Sequence, residues 1–425
     1  MFSERYRSHH DAEHRLGAAL GSRSAPAPWE EVEKKLKAPP EGKPRGVYIH
    51  VPHCDRICTF CNLNRRDRKN ADLDAYTGYI IEEIKTFGAY PYIRDQPFEV
   101  VYFGGGTPTV LNLKQLGRIL RALRDHLPLK PDCEITLEST QHNLPPARAA
   151  ALGSEGVTRF SIGIQTFSDR GRKILGRTYG GKRAVDELAA LRAAFSGVLG
   201  IDLIYSYPEQ TLEEAAFDAE TCAALGVDSA SFYSLMIQGS SALAQSIEAG
   251  ELTFHRDIDF DRERHHLIYR ALRNAGFSLL ELSKLARPNR DAYRYIHIRY
   301  ENGDLLPLGS GAGGNLAGFP IFSMAPGRRF VSAPNPEYEK YYRILGLLQF
   351  GRYDAAEIAR YLGAGAEARI REKIAEYLDR GFLETGEDGS CRLSSEGIFW
   401  GNNIAVDMLQ AVIPARMVET VGLRS

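Results

Sequence analysis

Cys54, Cys58 and Cys61 form C-x3-C-x2-C, so three of the chain's six cysteines fall within eight residues. Three thiolates in one short loop can hold three irons of a cubane iron–sulfur cluster. The next cysteine is Cys133, so no fourth cysteine is at hand and one iron is left open. An open metal position can bind a substrate, as an open zinc site does. Zinc itself is a competing reading, which needs a fourth ligand from His50, His53 or elsewhere. A redox disulfide is a third. The loop directly follows the apolar run Val47-Tyr48-Ile49-His50-Val51. A second run, Val100-Val101-Tyr102-Phe103, leads straight into Gly104-Gly105-Gly106-Thr107-Pro108. Consecutive glycines let backbone amides approach a small polar ligand with no Cβ in the way, though a tight turn uses them equally well. Further short runs end in Glu138 and Gln165, and another carries Asp202.

Such groups need a scaffold that gathers loop ends into one place. Short apolar runs at 46–51, 99–103, 134–137, 159–164, 198–204 and 229–233 read as strands. Between them lie stretches with apolar residues three and four apart, such as Leu73, Tyr76, Ile80, Ile84 and Phe87, or Leu113, Leu116, Leu120 and Leu123. Six rounds of strand and helix imply parallel strands joined by right-handed crossovers. The near-continuous apolar strands predict burial on both faces. The expected class is α/β, a partial (β/α)6 barrel over residues 46–335. Its active site belongs at the C-terminal ends of the strands, where the polar groups fall.

Residues 1–45 read as an irregular arm, broken by Pro and Gly around a helical stretch at 29–37. The arm carries His9, His10 and His14. It is either a solvated terminus or an ordered segment covering a substrate. Beyond Pro334-Asn335-Pro336, residues 336–425 predict three helices, then a hairpin over 381–393 with its turn at Glu387-Asp388-Gly389. That is the outline of a small α+β winged-helix-like domain. Winged helices often bind DNA, but Glu357, Glu367, Glu372 and Glu376 interrupt any basic face.

Hydrophobic residues at 44% and charged residues at 25% exclude a mostly disordered or fibrous chain among these 425 residues. A net charge of −1 gives no basic field for nucleic acid. No apolar run reaches the roughly 18 residues of a membrane span. The polar start, MFSERYRSHHDAEHRL, lacks a secretory h-region, so a cytoplasmic location is expected.

Taken together, Y-I-H-V-P-H-C-x3-C-x-F-C, F-G-G-G-T-P-T, S-I-G-I-Q-T-F and I-D-L-I-Y-S-Y-P-E-Q-T resemble the radical S-adenosylmethionine enzymes of the oxygen-independent coproporphyrinogen dehydrogenase, or HemN-like, group. The terminal L-S-S-E-G-I-F-W-G-N-N is similar to that group's C-terminal domain. The resemblance implies a 4Fe–4S cluster on Cys54, Cys58 and Cys61, with S-adenosylmethionine chelated by the open iron. It implies contacts to this molecule from Tyr48, Gly105, Glu138 and Met236. It also implies a second S-adenosylmethionine, with Phe60, Gly106, Thr107, Gln165, Arg177 and Asp202 in the wider set. An electron donor such as flavodoxin or ferredoxin and a tetrapyrrole substrate, heme or coproporphyrinogen III, complete the implied partners.

Within the group, the dehydrogenase carries a fourth Cys two residues after the third, where this chain has Leu63. The heme chaperones carry H-N-x-x-Y-W, where this chain reads Pro288-Asn289-Arg290-Asp291-Ala292-Tyr293-Arg294-Tyr295. The stretch from Asn289 through Leu305 to Asn315 is similar to the anaerobic heme-degrading, anaerobilin-synthase (ChuW/HutW) group, and that is the activity expected. Residues 309–314 could form a phosphate cradle but lack the following Lys-Ser/Thr, so close backbone packing is expected there. Arg294, His297 and Arg299 either meet tetrapyrrole propionates or lie in a solvated stretch.

Overall fold

A computed structural model describes residues 2–20, 25–61, 63–237, 239, 241–254, 257–386 and 389–413. In chain order its principal elements begin with α1 (His9–Ala19), α2 (Trp29–Leu36) and β1 (Arg45–Val51). They continue with α3 (Leu73–Gly88), β2 (Phe98–Gly105), α4 (Leu113–His126), β3 (Leu129–Thr140), α5 (Pro146–Ser154) and β4 (Arg159–Gln165). Next come α6 (Gly181–Ala194), β5 (Val198–Tyr205), α7 (Leu212–Ala224), β6 (Ser229–Ser234) and α8 (Ile258–Asn274). All six predicted strands are present, each extended by one to several residues.

One nine-stranded sheet runs β9-β1-β2-β3-β4-β5-β6-β8-β7, where β7 is Ser278–Glu281, β8 is Lys284–Ala286 and β9 is Asp304–Leu308. Strands β1 to β6 are mutually parallel, as expected. The six strand–helix units are those expected. Strand β9 adds a seventh parallel member on β1, pairing Val47 with Leu306 and Ile49 with Leu308. Its Pro307 and glycine-rich flank hid it from a propensity reading. Proline is tolerated here because β9 is an edge strand. On the other side, β8 and β7 add antiparallel to β6.

The strands do bury both faces, but only one face is apolar. Val47, Ile49, Val101, Phe103, Leu137, Phe160, Ile162, Ile201 and Phe232 pack outward against the helices in one core. The alternate residues Tyr48, Tyr102, Thr136, Glu138, Arg159, Ser161, Asp202 and Ser231 form the inner wall. Burial on both faces is as expected, and the barrel has a polar, aromatic lumen. Its base is sealed by the fully buried Arg159–Asp291 ion pair at 2.9 Å, to which Ser229 also donates.

The arm is not irregular. Helix α1 opens with a capping box between Ser8 and Asp11. It buries Ala12 and Leu16 in the core of the C-terminal region. Arg5 pairs with buried Asp261 at 2.9 Å, and Ala27 and Ala333 bond across to Val331 and Ala25. Sequence periodicity over α1 is weak because only two of its eleven residues are core residues.

Helix α9 (Arg294–Tyr300) and a three-stranded antiparallel sheet, β10 (Gly313–Leu316), β11 (Phe319–Ala325) and β12 (Arg328–Val331), precede the C-terminal region. That region holds α10 (Pro336–Gln349), α11 (Ala355–Leu362), α12 (Glu367–Asp379) and the hairpin β13 (Leu383–Thr385) with β14 (Cys391–Leu393). It ends in two more helices, Ser395–Phe399 and Gly401–Val412. Part of the predicted turn, residues 387 and 388, lies outside the described residues. Several bases of these helices are held by acids, Arg371 by Glu367 and Lys373 by Glu376 and Asp407. Among the described residues no helix is long and apolar enough to cross a membrane.

Candidate active site

The cysteine loop leaves β1 at the C-terminal rim of the barrel. Its turn is tied by the Cys61 amide on the Cys58 carbonyl, 3.2 Å. All six cysteines of the chain are free, and Cys133, Cys222 and Cys391 lie on β3, α7 and β14, away from this loop. Burial pushes the Cys54 and Cys61 thiols up. Thr107 donates to Cys54 Sγ at 3.5 Å and Arg177 to Cys58 Sγ at 3.2 Å. Gly106 backs the loop so closely that a Cβ there would sit 2.8 Å from the His53 carbonyl and 3.0 Å from Cys54 Sγ. Three free thiols, two of them already accepting hydrogen bonds, suit a thiolate-bound cluster with one open iron.

Gly105 has φ +111°, a conformation that favours glycine, and a Cβ on it would strike the His50 ring at 2.7 Å. Its amide donates to Glu138 Oε2 at 3.2 Å, and the Tyr102 hydroxyl donates to Glu138 Oε1 at 2.7 Å. Burial, joined by the Asp202 charge, pushes the Glu138 carboxyl up to about 7 against these two hydrogen bonds. Tyr48 lies on the same wall, its hydroxyl 3.1 Å from His50 Nδ1 and 3.1 Å from where a Gly104 Cβ would be. Tyr48, Gly105, Gly106, Thr107, Glu138 and Asp202 are thus drawn onto the rim and inner wall beside Cys54.

The remaining candidates fall around this set. Gln165 ends β4 at a bulge with φ 74°, a strained position for a residue with a side chain. Arg177 reads in sequence as helical, but the preceding helix, Asp169–Ile174, has ended, and Gly176 at φ +69° turns the chain back. That reversal lays Arg177 on Cys58 and on the Gly163 carbonyl at 2.5 Å, with Arg177 Nε buried and unpartnered. Phe60 packs on a small apolar cluster with Leu175, Ile204 and Leu243. Met236 is 37% exposed and lines a separate cavity of about 530 Å³ with Arg5 and Arg7.

Residues that motif reading missed fill the lumen. Tyr295 stacks on Tyr102 at 4.2 Å and on Tyr48 at 5.9 Å. Tyr293 stands over both Arg159 (4.6 Å) and Lys284 (5.0 Å). For Arg159 the available signal was the alternation in Arg159-Phe160-Ser161-Ile162-Gly163-Ile164-Gln165, polar or small at every second place, a pattern that does not extend to Tyr293 or Tyr295. Residues 309–314 pack closely, as expected: Cβ atoms on Gly309 and Gly311 would meet the His50 carbonyl at 2.4 Å and its ring at 2.8 Å.

A cavity of about 660 Å³ opens beside this wall, lined by Tyr48, His50, Tyr295, Arg299, Tyr342 and, from the arm, His10. Arg299 is neither solvated nor free, for it bonds both Glu13 oxygens, at 2.8 and 3.1 Å. Burial opposes the Glu13 charge, but Arg299 and the two neighbouring histidines outweigh it and hold the carboxyl down to about 2. Arg294 pairs with Asp132 and His297 stacks on Phe350, so neither meets the cavity.

A parallel partial barrel with a three-cysteine loop at its rim defines a radical S-adenosylmethionine protein, and residues 48–219 match the family described as the radical SAM superfamily. The anaerobilin synthase of Escherichia coli O157:H7 is 30% identical over 390 residues, 88% of this chain and 85% of that protein. The heme chaperone HemW of Lactococcus lactis is 29% identical, over 69% of this chain and 76% of that one. The solved coproporphyrinogen III oxidase (HemN) of Escherichia coli shares the fold with a TM-score of 0.74 at 20% identity, over 90% and 93% of the two chains. The chain belongs to the HemN-like family of radical S-adenosylmethionine proteins. The family's cofactors are a 4Fe–4S cluster and S-adenosylmethionine.

Proposed function

We propose that this protein degrades heme anaerobically, methylating and opening the macrocycle and freeing its iron, as an anaerobilin-synthase-like enzyme. The observation that carries this reading is Tyr48, which belongs both to the wall beside the cysteine loop and to the lining of the 660 Å³ cavity. A volume of that size is in the range that holds ligands of tetrapyrrole size. The anaerobilin synthase of Escherichia coli O157:H7 is also matched over 85% of its length.

In this reading Cys54, Cys58 and Cys61 hold the cluster, and the cofactor pair supplies a carbon-centred radical by one-electron cleavage of a sulfonium. The glycine run lets main chain approach S-adenosylmethionine. Tyr48 and Glu138 are assigned to the first molecule, whereas Met236 stands in the separate cavity with Arg5 and Arg7. Phe60, Gly106, Thr107, Gln165, Arg177 and Asp202 are assigned to the wider pocket, including a second molecule. Glu138, near 7, can hold or release a proton at the rim. The Tyr102–Tyr295 stack and the Arg159–Asp291 seal keep bulk water out of the lumen, which confines an unselective radical. Residues 336–413 and the arm close over the tetrapyrrole.

The decisive test is anaerobic incubation of reconstituted protein with S-adenosylmethionine, a reductant and either heme or coproporphyrinogen III, followed by mass analysis. Heme loss with an open-chain, methylated product is expected. Carbon dioxide release from coproporphyrinogen III would make it the dehydrogenase, and recovery of unaltered heme would make it a chaperone. Against the first stands exposed Leu63 in place of a fourth cysteine. Against the second stands the 288–295 segment, where Asp291 and Tyr293 are committed to the lumen around Arg159.

A further inference from the structure

His9, His10 and Glu13 bring three ligating atoms within 4.8 Å of one another at the start of α1. They do not form a site for a bare dication. Arg299 Nη1 donates to His9 Nε2 at 3.4 Å, and Arg299 Nη2 holds both Glu13 oxygens. A free metal ion there would face a guanidinium and would have to displace it. His10 differs. Its Nδ1 lies 3.4 Å from Glu13 Oε2, its side chain is 67% exposed, and it lines the 660 Å³ cavity.

A histidine whose Nδ1 is engaged by a carboxylate presents Nε2 as a lone-pair donor, the usual arrangement of a metal-bound imidazole. Here the carboxylate is itself fixed by Arg299, which Tyr342 further supports at 3.2 Å from Arg299 Nε. The same cavity offers the rings of Tyr48, Tyr295, Tyr338 and Tyr342 as apolar surface for a flat macrocycle. An iron ligand is of use only to a tetrapyrrole that carries iron. We infer that His10, oriented by Glu13, is the axial ligand to the iron of a heme held in this cavity. The inference rests on the proposed heme reading and deepens it, since iron-free coproporphyrinogen has no use for such a ligand. It also gives the arm a role in choosing between the two substrates.

The test uses the full chain, anaerobic, titrated with dithionite-reduced hemin and, separately, with iron-free protoporphyrin IX. Absorbance and resonance Raman spectra report the iron's ligand. Wild type should show imidazole-ligated heme. His10→Ala should weaken heme binding by about a hundredfold and lose that signature, and Glu13→Gln should weaken it by about tenfold. Added imidazole should restore the His10→Ala spectrum, which a misfolded variant would not permit. Protoporphyrin affinity should be unchanged by His10→Ala, and His14→Ala, outside the cavity lining, should behave as wild type. An unaltered spectrum and affinity in His10→Ala would overturn the inference, as would displacement of heme by zinc chloride alone. If wild type consumes heme while His10→Ala binds it normally, only the ligand assignment falls. If wild type binds no heme but decarboxylates coproporphyrinogen III, the heme reading falls with it.

Discussion

The cysteine rim and the arm-side cavity meet at Tyr48, yet they are built in opposite ways. The cysteine loop and its glycine backing come from two short stretches, 48–61 and 103–107, in which neighbours in sequence are neighbours in space, with Glu138 and Arg177 added from farther along the chain. The cavity draws His10 from α1, Tyr48 from β1, Tyr295 and Arg299 from the helix Arg294–Tyr300, and Tyr342 from α10. Chemistry common to the superfamily is thus written locally. The cavity proposed to hold the substrate exists only after elements more than 300 residues apart have docked.

The largest effect expected from breaking this contrast is at the rim. Cys58→Ala should remove the iron–sulfur absorbance and bring 5′-deoxyadenosine formation to background, while circular dichroism stays unchanged. A purified anaerobic sample holding zinc, with no iron or sulfide, would refute the cluster assignment.

Gly106→Ala should come next. Its Cβ would press on the His53 carbonyl and on Cys54 Sγ, an overpacking that costs about 1–3 kcal/mol. Iron and sulfide per chain should fall about tenfold, and heme affinity should not change. Equal loss of both would mean that the two regions are one unit.

Arg299→Ala tests the other side. It leaves Glu13, only partly exposed, without its guanidinium partner, at a cost of about 3 kcal/mol to arm docking. Hydrogen exchange of the α1 amides should accelerate by about a hundredfold with the cluster spectrum intact.

The smallest effect is a pH dependence at the junction. An acid whose folded value stands above its unfolded one favours folding at low pH and loses that contribution as pH rises. For Glu138 the window runs from 4.5 to about 7. Its ceiling is about 3 kcal/mol, and the partial exposure of Glu138 in the cofactor-free protein brings it to about 1–2 kcal/mol. Urea unfolding of cofactor-free wild type should weaken relative to Glu138→Gln between pH 4.5 and 7, and the gap should stay constant above pH 7. A gap that does not move with pH would place the Glu138 carboxyl in water.

The sequence showed six strands, the cysteine and glycine loops and the helices of the C-terminal region, because each leaves a local pattern. It hid β9, where Pro307 masks an edge strand, and α1, whose amphipathic stripe is two residues wide. Arg177 looked helical because one left-handed glycine, Gly176, decides its direction. The Glu13–Arg299 pair could not be foreseen: no spacing links residues 286 apart in the chain.

Strand β1 pairs with β9, so this contact spans about 260 residues of chain. At translation rates of roughly 5–20 residues per second, β1 leaves the ribosome between about 10 and 50 seconds before its outer partner exists. Through that interval the first strand of the barrel presents an open hydrogen-bonding edge, beside the loop that must bind iron. Slowing synthesis between residues 60 and 300 should raise aggregation and lower iron content together.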